Sequence, residues 1–183
     1  MSKPVEHKNA EGQLHRIDGP AYEHSSGSKA WYVDGKRHRI DGPAIEYVSG
    51  RKEWYINGQL HRIDGPSVEY ADGTQAWYID GQLHRIDGPA IEHADGSKYW
   101  WIDGQLHRID GPAYEHPSGR KEWFIDGERH RIDGPAIEWE DGSKEWWIND
   151  KDVTKEVNNW LHENNITYPF DEDELVQFKL RWL

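Results

Sequence analysis

Polar and apolar positions follow one short pattern, seen clearly in residues 81–103, where Lys98-Tyr99-Trp100-Trp101-Ile102 lies between the steps Asp95-Gly96 and Asp103-Gly104. Alternation places Lys98, Trp100 and Ile102 on one face of a strand and Tyr99 and Trp101 on the other. Aromatic and β-branched residues suit such a half-buried pleated surface. Glycine reaches positive φ freely and aspartate tolerates it, so both Asp-Gly steps predict two-residue hairpin turns. The opposing strand is interrupted at Asp87-Gly88-Pro89. Proline cannot donate to a ladder, and a bend flanked by Ile86 and Ile91 is expected there.

The pattern returns every 23 residues. The string HRIDGP begins at His15, His38, His61, His84, His107 and His130, and Trp31, Trp54, Trp77, Trp100, Trp123 and Trp146 keep the same period. Counting each copy from the glycine ahead of the motif gives 12–34, 35–57, 58–80, 81–103, 104–126 and 127–149, after a lead-in of residues 1–11. No copy can bury its Trp and Ile alone, but stacked copies can. The predicted fold is therefore mainly β, an elongated array of six 23-residue hairpin repeats, each advancing about 10 Å.

Such an array needs covered ends, and residues 150–183 supply a change of pattern. Asp152 is a good N-cap, and Val153, Val157, Trp160 and Leu161 form a helical stripe ending near Asn164 and Asn165. Val176, Phe178, Leu180 and Trp182 then alternate with Gln177, Lys179 and Arg181, which predicts a strand over the open sheet edge. The expected cap is a helix plus a strand.

Composition narrows the function classes. The chain of 183 residues has no cysteine and so neither a disulfide framework nor a thiolate metal site. No apolar run reaches the length of a signal peptide or a membrane span, so a cytoplasmic protein without a membrane partner is expected. A formal charge of -12 repels nucleic acid and anionic lipid headgroups. Eleven tryptophans and 18 glycines are the bias that a repeated motif produces.

His84, Arg85 and Asp87 have the chemistry of a metal or acid–base cluster. An active site normally occurs once, however, and a trio copied six times reads as a structural ladder in which Arg and His are satisfied by Asp and Glu. No serine has a partnered histidine and there is no phosphate loop. No catalytic residue, metal site or cofactor is expected, and the chain reads as a non-enzyme. The tryptophan ladder reads as a thin core beneath Arg and Lys stems. The candidate ligand- or partner-binding residues are Arg39, Arg62, Arg85 and Arg108, with Tyr55, Tyr78, Trp101 and Phe124 from the second aromatic ladder. Two partly apolar faces also favour self-association into a homo-oligomer.

The spacing W-x-x-[DN]-G-x-x-H and the string HR-x-D-G-P-A-x-E, over residues 12–149, resemble MORN-type repeats, and more closely the MORN-variant repeats of bacterial antitoxin-like and bacteriophage proteins. Typical MORN repeats carry glycines where this chain has Arg85 and Asp87. The resemblance implies scaffolding, dimerisation and phospholipid contact, the last opposed here by charge. It also implies a phage origin, and with that the long shape and acidic charge point to a scaffold or inhibitor whose acidic face occupies a host protein, such as a defence factor or a nucleic-acid-binding protein with a basic groove, in the host cytoplasm. The alternative is a protein that sequesters a nucleotide-like small molecule between repeated Arg, His and aromatic side chains.

Overall fold

The computed structural model describes residues 3–183 and is mainly β, with two helices at the C-terminus. The chain divides into two compact units that meet in sequence between Ala94 and Asp95.

In the first unit the sheet strands run in the order Val5–Glu6, Tyr22–Glu23, Lys29–Ala30, Ile45–Glu46, Lys52–Glu53, Val68–Glu69, Gln75–Ala76 and Ile91–Glu92, each antiparallel to the next. The second unit orders Lys98–Tyr99, Tyr114–Glu115, Lys121–Glu122, Ile137–Glu138 and Lys144–Glu145 in the same way. Every repeat thus gives the sheet two strands.

The strand predicted over 98–102 is split at its tryptophan. In each repeat the chain leaves the sheet there and builds a separate two-stranded side hairpin, for example Tyr78–Ile79 with Gln82–Leu83. The tryptophan backbone holds the junction: Trp77 donates to the carbonyl of Ala90 at 2.8 Å and accepts from the amide of His84 at 3.1 Å.

The two Asp-Gly steps make different turns. At the side hairpin both residues have positive φ, 49° for Asp80 and 83° for Gly81, the two-residue turn expected. At the sheet hairpin only the glycine does, as at Gly73 with φ 93°. There the Asp72 carboxylate instead accepts the amide of Thr74 at 2.9 Å, which builds a longer turn. The side-hairpin turn also persists past the last glycine. Asn149 and Asp150 adopt φ of 49° and 59°, and Lys151–Asp152 pairs with Trp147–Ile148.

The core is thin. The residue after each HRIDGP, Ala or once Ser67, is wholly buried, and the buried carboxylates of Glu53 and Glu122 pair with Arg51 and Arg120. At the N-terminal end, Val5–Glu6 pairs with Tyr22–Glu23, and His7 takes the place that tryptophan holds elsewhere, its amide on the carbonyl of Ala21 at 2.8 Å.

The main apolar cluster belongs to the C-terminal cap. Helix α1, Thr154–Asn164, has Val153 at its N-cap instead of the expected Asp152 and no side-chain cap there; the Asp152 carboxylate, one residue earlier, accepts the Thr154 amide at 2.9 Å, and the helix ends at Asn165 in the left-handed region. It buries Val157 and Trp160 against Trp146 and Ile148.

The segment expected to be a strand is a second helix, α2, Glu172–Trp182. Asp171 and Glu174 close a reciprocal capping box, with the first-turn acids and the late Lys179 and Arg181 matching the helix dipole. Leu175, Phe178 and Trp182 face inward at helical spacing, whereas Val176 and Leu180 of the apparent alternation are exposed. A two-residue period over seven positions is too short to outweigh the cap. The helix packs over Trp146 and adds no strand beyond Lys144–Glu145.

Candidate binding face

Arginine organises each HRIDGP loop. In the third repeat Arg62 donates through Nε to Asp64 at 2.9 Å, and through Nη1 to the Pro66 carbonyl at 3.1 Å and to Glu69 at 3.2 Å. Its guanidinium carbon lies 4.1 Å from the centre of the Trp54 ring. The loop is wound round that side chain so closely that a Cβ on Gly65 would meet Arg62 Cζ at 3.0 Å. This explains why the motif needs Gly, although φ there is not positive. The histidine ahead of the arginine pins the next turn. His61 Nδ1 lies 2.9 Å from the Asp80 carboxylate and 3.3 Å from the Asp80 amide, donating to the first or accepting from the second according to its proton.

With Arg and Pro turned inward, the isoleucine between Arg and Asp faces solvent. Ile17, Ile40, Ile63, Ile86 and Ile109 are each 85–86 % exposed, as no core residue would be. Ile132, in the repeat next to the cap, falls to 40 %. Beside each isoleucine stands an exposed carboxylate. The hydrogen bond from Arg39 to Asp41, and then the arginine charge, hold Asp41 below the ordinary carboxylate range; Arg62 does the same for Asp64 and Arg108 for Asp110.

Between successive loops lie repeated clefts. One of about 630 Å³ has Arg39, Ile40 and Asp41 on one wall, His61, Arg62 and Ile63 on the other, and Trp54 and Ile56 beneath. Its neighbours in the first unit, over Trp31 and over Trp77, measure about 510 and 530 Å³. The second unit repeats the form over Trp123 at about 560 Å³.

The candidate residues read from sequence divide between two places. Arg39, Arg62, Arg85 and Arg108 line these clefts. Tyr55, Tyr78, Trp101 and Phe124 line none of them. They sit in the side hairpins and alternate with the cleft-lining positions, so they project from the other side. There Arg37 donates to the Tyr55 hydroxyl at 3.2 Å, Phe124 is buried beside Arg129, and burial raises the Tyr55 and Tyr78 hydroxyls above their usual range.

Sequence reasoning did not single out the isoleucine row. Its signal was present: a β-branched apolar residue held at one position inside a Gly-Pro loop, where neither turn chemistry nor strand alternation asks for it. Of the trio, Arg and Asp are engaged in the loop itself and His at the next turn, and among the described residues no group of three or more His, Cys, Asp or Glu is placed to hold a metal ion. No helix is long and apolar enough to cross a membrane. No family model matches this chain, and no curated protein matches it.

Proposed function

We propose that the chain is a non-enzymatic scaffold that binds a protein partner on the face formed by its HRIDGP loops. The observation that carries this reading is the row of isoleucines in the first unit, Ile17, Ile40, Ile63 and Ile86, at 85–86 % exposure. Single exposed apolar residues are ordinary, but one repeated beside the same clefts is the mark of an interaction surface. The arginines of the same loops are committed to Asp, Glu and Pro carbonyls, which supports a structural role for the charged trio and an apolar role for the crest. The resemblance to phage repeat proteins favours a bacterial host protein as the partner, whose occupation would inhibit it in the host cytoplasm.

A triple variant Ile40→Ser/Ile63→Ser/Ile86→Ser tests the reading, because these side chains support no core. Tagged wild-type protein should retain a stoichiometric partner from bacterial lysate that the triple variant loses. Recovery of none, at low and at physiological salt, overturns the proposal.

The clefts also support a second reading. Volumes of about 510–630 Å³ with Trp and Arg linings fall within the range of small-molecule sites. Mass spectrometry of ligand released from denatured protein separates the two, a nucleotide-like species favouring sequestration.

A further inference from the structure

The clefts of the first unit recur once per repeat. Each repeat adds two sheet strands, so equivalent points in neighbouring repeats stand about 9.6 Å apart. The clefts over Trp31, Trp54 and Trp77 therefore span about 19 Å from first to last.

Only some peptide conformations can place one side chain in each cleft. Along a β-strand, residues on one face recur at about 6.7 Å and then about 13 Å, which misses the pitch. An α-helix returns to the same face after seven residues, or about 10.5 Å, and drifts by about 1.8 Å across the three clefts. Polyproline II returns every third residue, or about 9.3 Å, and drifts by about 0.6 Å. Its pre-ordered backbone and flat prolines suit grooves lined by Trp31, Trp54 and Trp77, each with a guanidinium stacked on one face of its ring.

Charge supplies the second constraint. In each loop one arginine faces two carboxylates, such as Asp41 and Glu46 for Arg39, which leaves one net negative charge on the loop. The Asp41, Asp64 and Asp87 side chains stand 84–86 % exposed at the cleft margins. An occupant that is apolar at every third residue and basic between them meets both features.

We propose that the loop face of the first unit is a track for a basic polyproline-II segment of a protein partner. Proline or another apolar residue at every third position enters successive clefts between the isoleucines, and intervening Lys or Arg meets Asp41, Asp64 and Asp87. The proposal rests on the protein-binding reading of this face and names the partner's chemistry.

The test titrates three labelled peptides of equal charge into the full chain at low salt. They are a (Pro-Leu-Arg)4 repeat, a block peptide of the same composition, and an Ala/Arg helix with Leu at every seventh residue. The period-three peptide should bind about tenfold tighter than either other, as expected for one or two well-seated contacts. It should lose about tenfold in Ile40→Ser/Ile63→Ser and several-fold in Asp41→Asn/Asp64→Asn. Equal affinity for the block peptide, preference for the helix, or indifference to the isoleucine variant overturns the track. If the lysate partner still depends on the isoleucines while no period preference appears, the track fails and the scaffold reading stands. Absence of any isoleucine-dependent partner removes both.

Discussion

The guanidinium carbon of Arg39 stands 4.1 Å from the centre of the Trp31 ring, and the same distance separates Arg62 from Trp54, Arg85 from Trp77 and Arg108 from Trp100. Each arginine thus lies over the tryptophan of the preceding repeat while its own nitrogens hold the loop. A guanidinium suits this because it stacks and donates in one plane at once, which an ammonium cannot do. The last tryptophan has no such arginine after it. Trp146 is covered instead by Tyr168, Phe170 and Phe178, with ring centres 5.3–5.6 Å away.

Gly42→Ala should disturb this stack directly. Its new Cβ would lie 2.9 Å from Arg39 Cζ, and the guanidinium cannot shift without giving up Asp41, Glu46 or Trp31. We expect a loss of about 1–2 kcal/mol in urea denaturation followed by tryptophan fluorescence. An unchanged midpoint would show that the guanidinium slides aside without losing its partners.

Acid should weaken the loops. The Asp41 and Asp64 carboxyls titrate below their ordinary value of 3.8 in the folded chain, first because an arginine donates to each and then through its charge. Their contribution is therefore complete above that value and is lost as pH falls through the lowered folded-state value. The urea midpoint should vary little with these groups between neutral pH and about 5 and then fall below about 4. Asp41→Asn/Asp64→Asn should show a smaller fall over the same acid range. An identical fall would place the acid sensitivity elsewhere.

Asp150→Gly should stabilise the end of the array. Asp150 occupies the second position of a turn in which every other repeat has glycine, at a φ of 59°. Its ion contact with Arg129 is long, at 3.9 Å, so little is lost with the carboxylate. Relief of the left-handed backbone is worth about 0.5–1 kcal/mol. A higher urea midpoint for the helical circular dichroism signal is the expected result, and a lower one would give the carboxylate a role of its own.

The β repeat was legible because turn chemistry and strand composition agree in every copy, as at Asp80-Gly81 and Tyr78–Ile79. The cap was half legible. Val157 and Trp160 announce α1 by spacing, but Phe178 and Trp182 lie on both an alternating and a helical pattern, and only Asp171 with Glu174 distinguishes them. The clefts were not legible, since the inward turn of Arg62 that exposes Ile63 depends on a tryptophan eight residues earlier. Tyr55 and Arg62 look equally available in the string, yet they project from different sides.

Because each arginine reaches only to the tryptophan one repeat back, length is a free variable of this design. A 23-residue copy inserted after Asn57 would find both its neighbours ready-made, and its removal would leave no orphaned ring. Gain or loss of whole repeats would then add or remove clefts in whole steps, so the number of clefts can change while the contacts within each repeat stay the same.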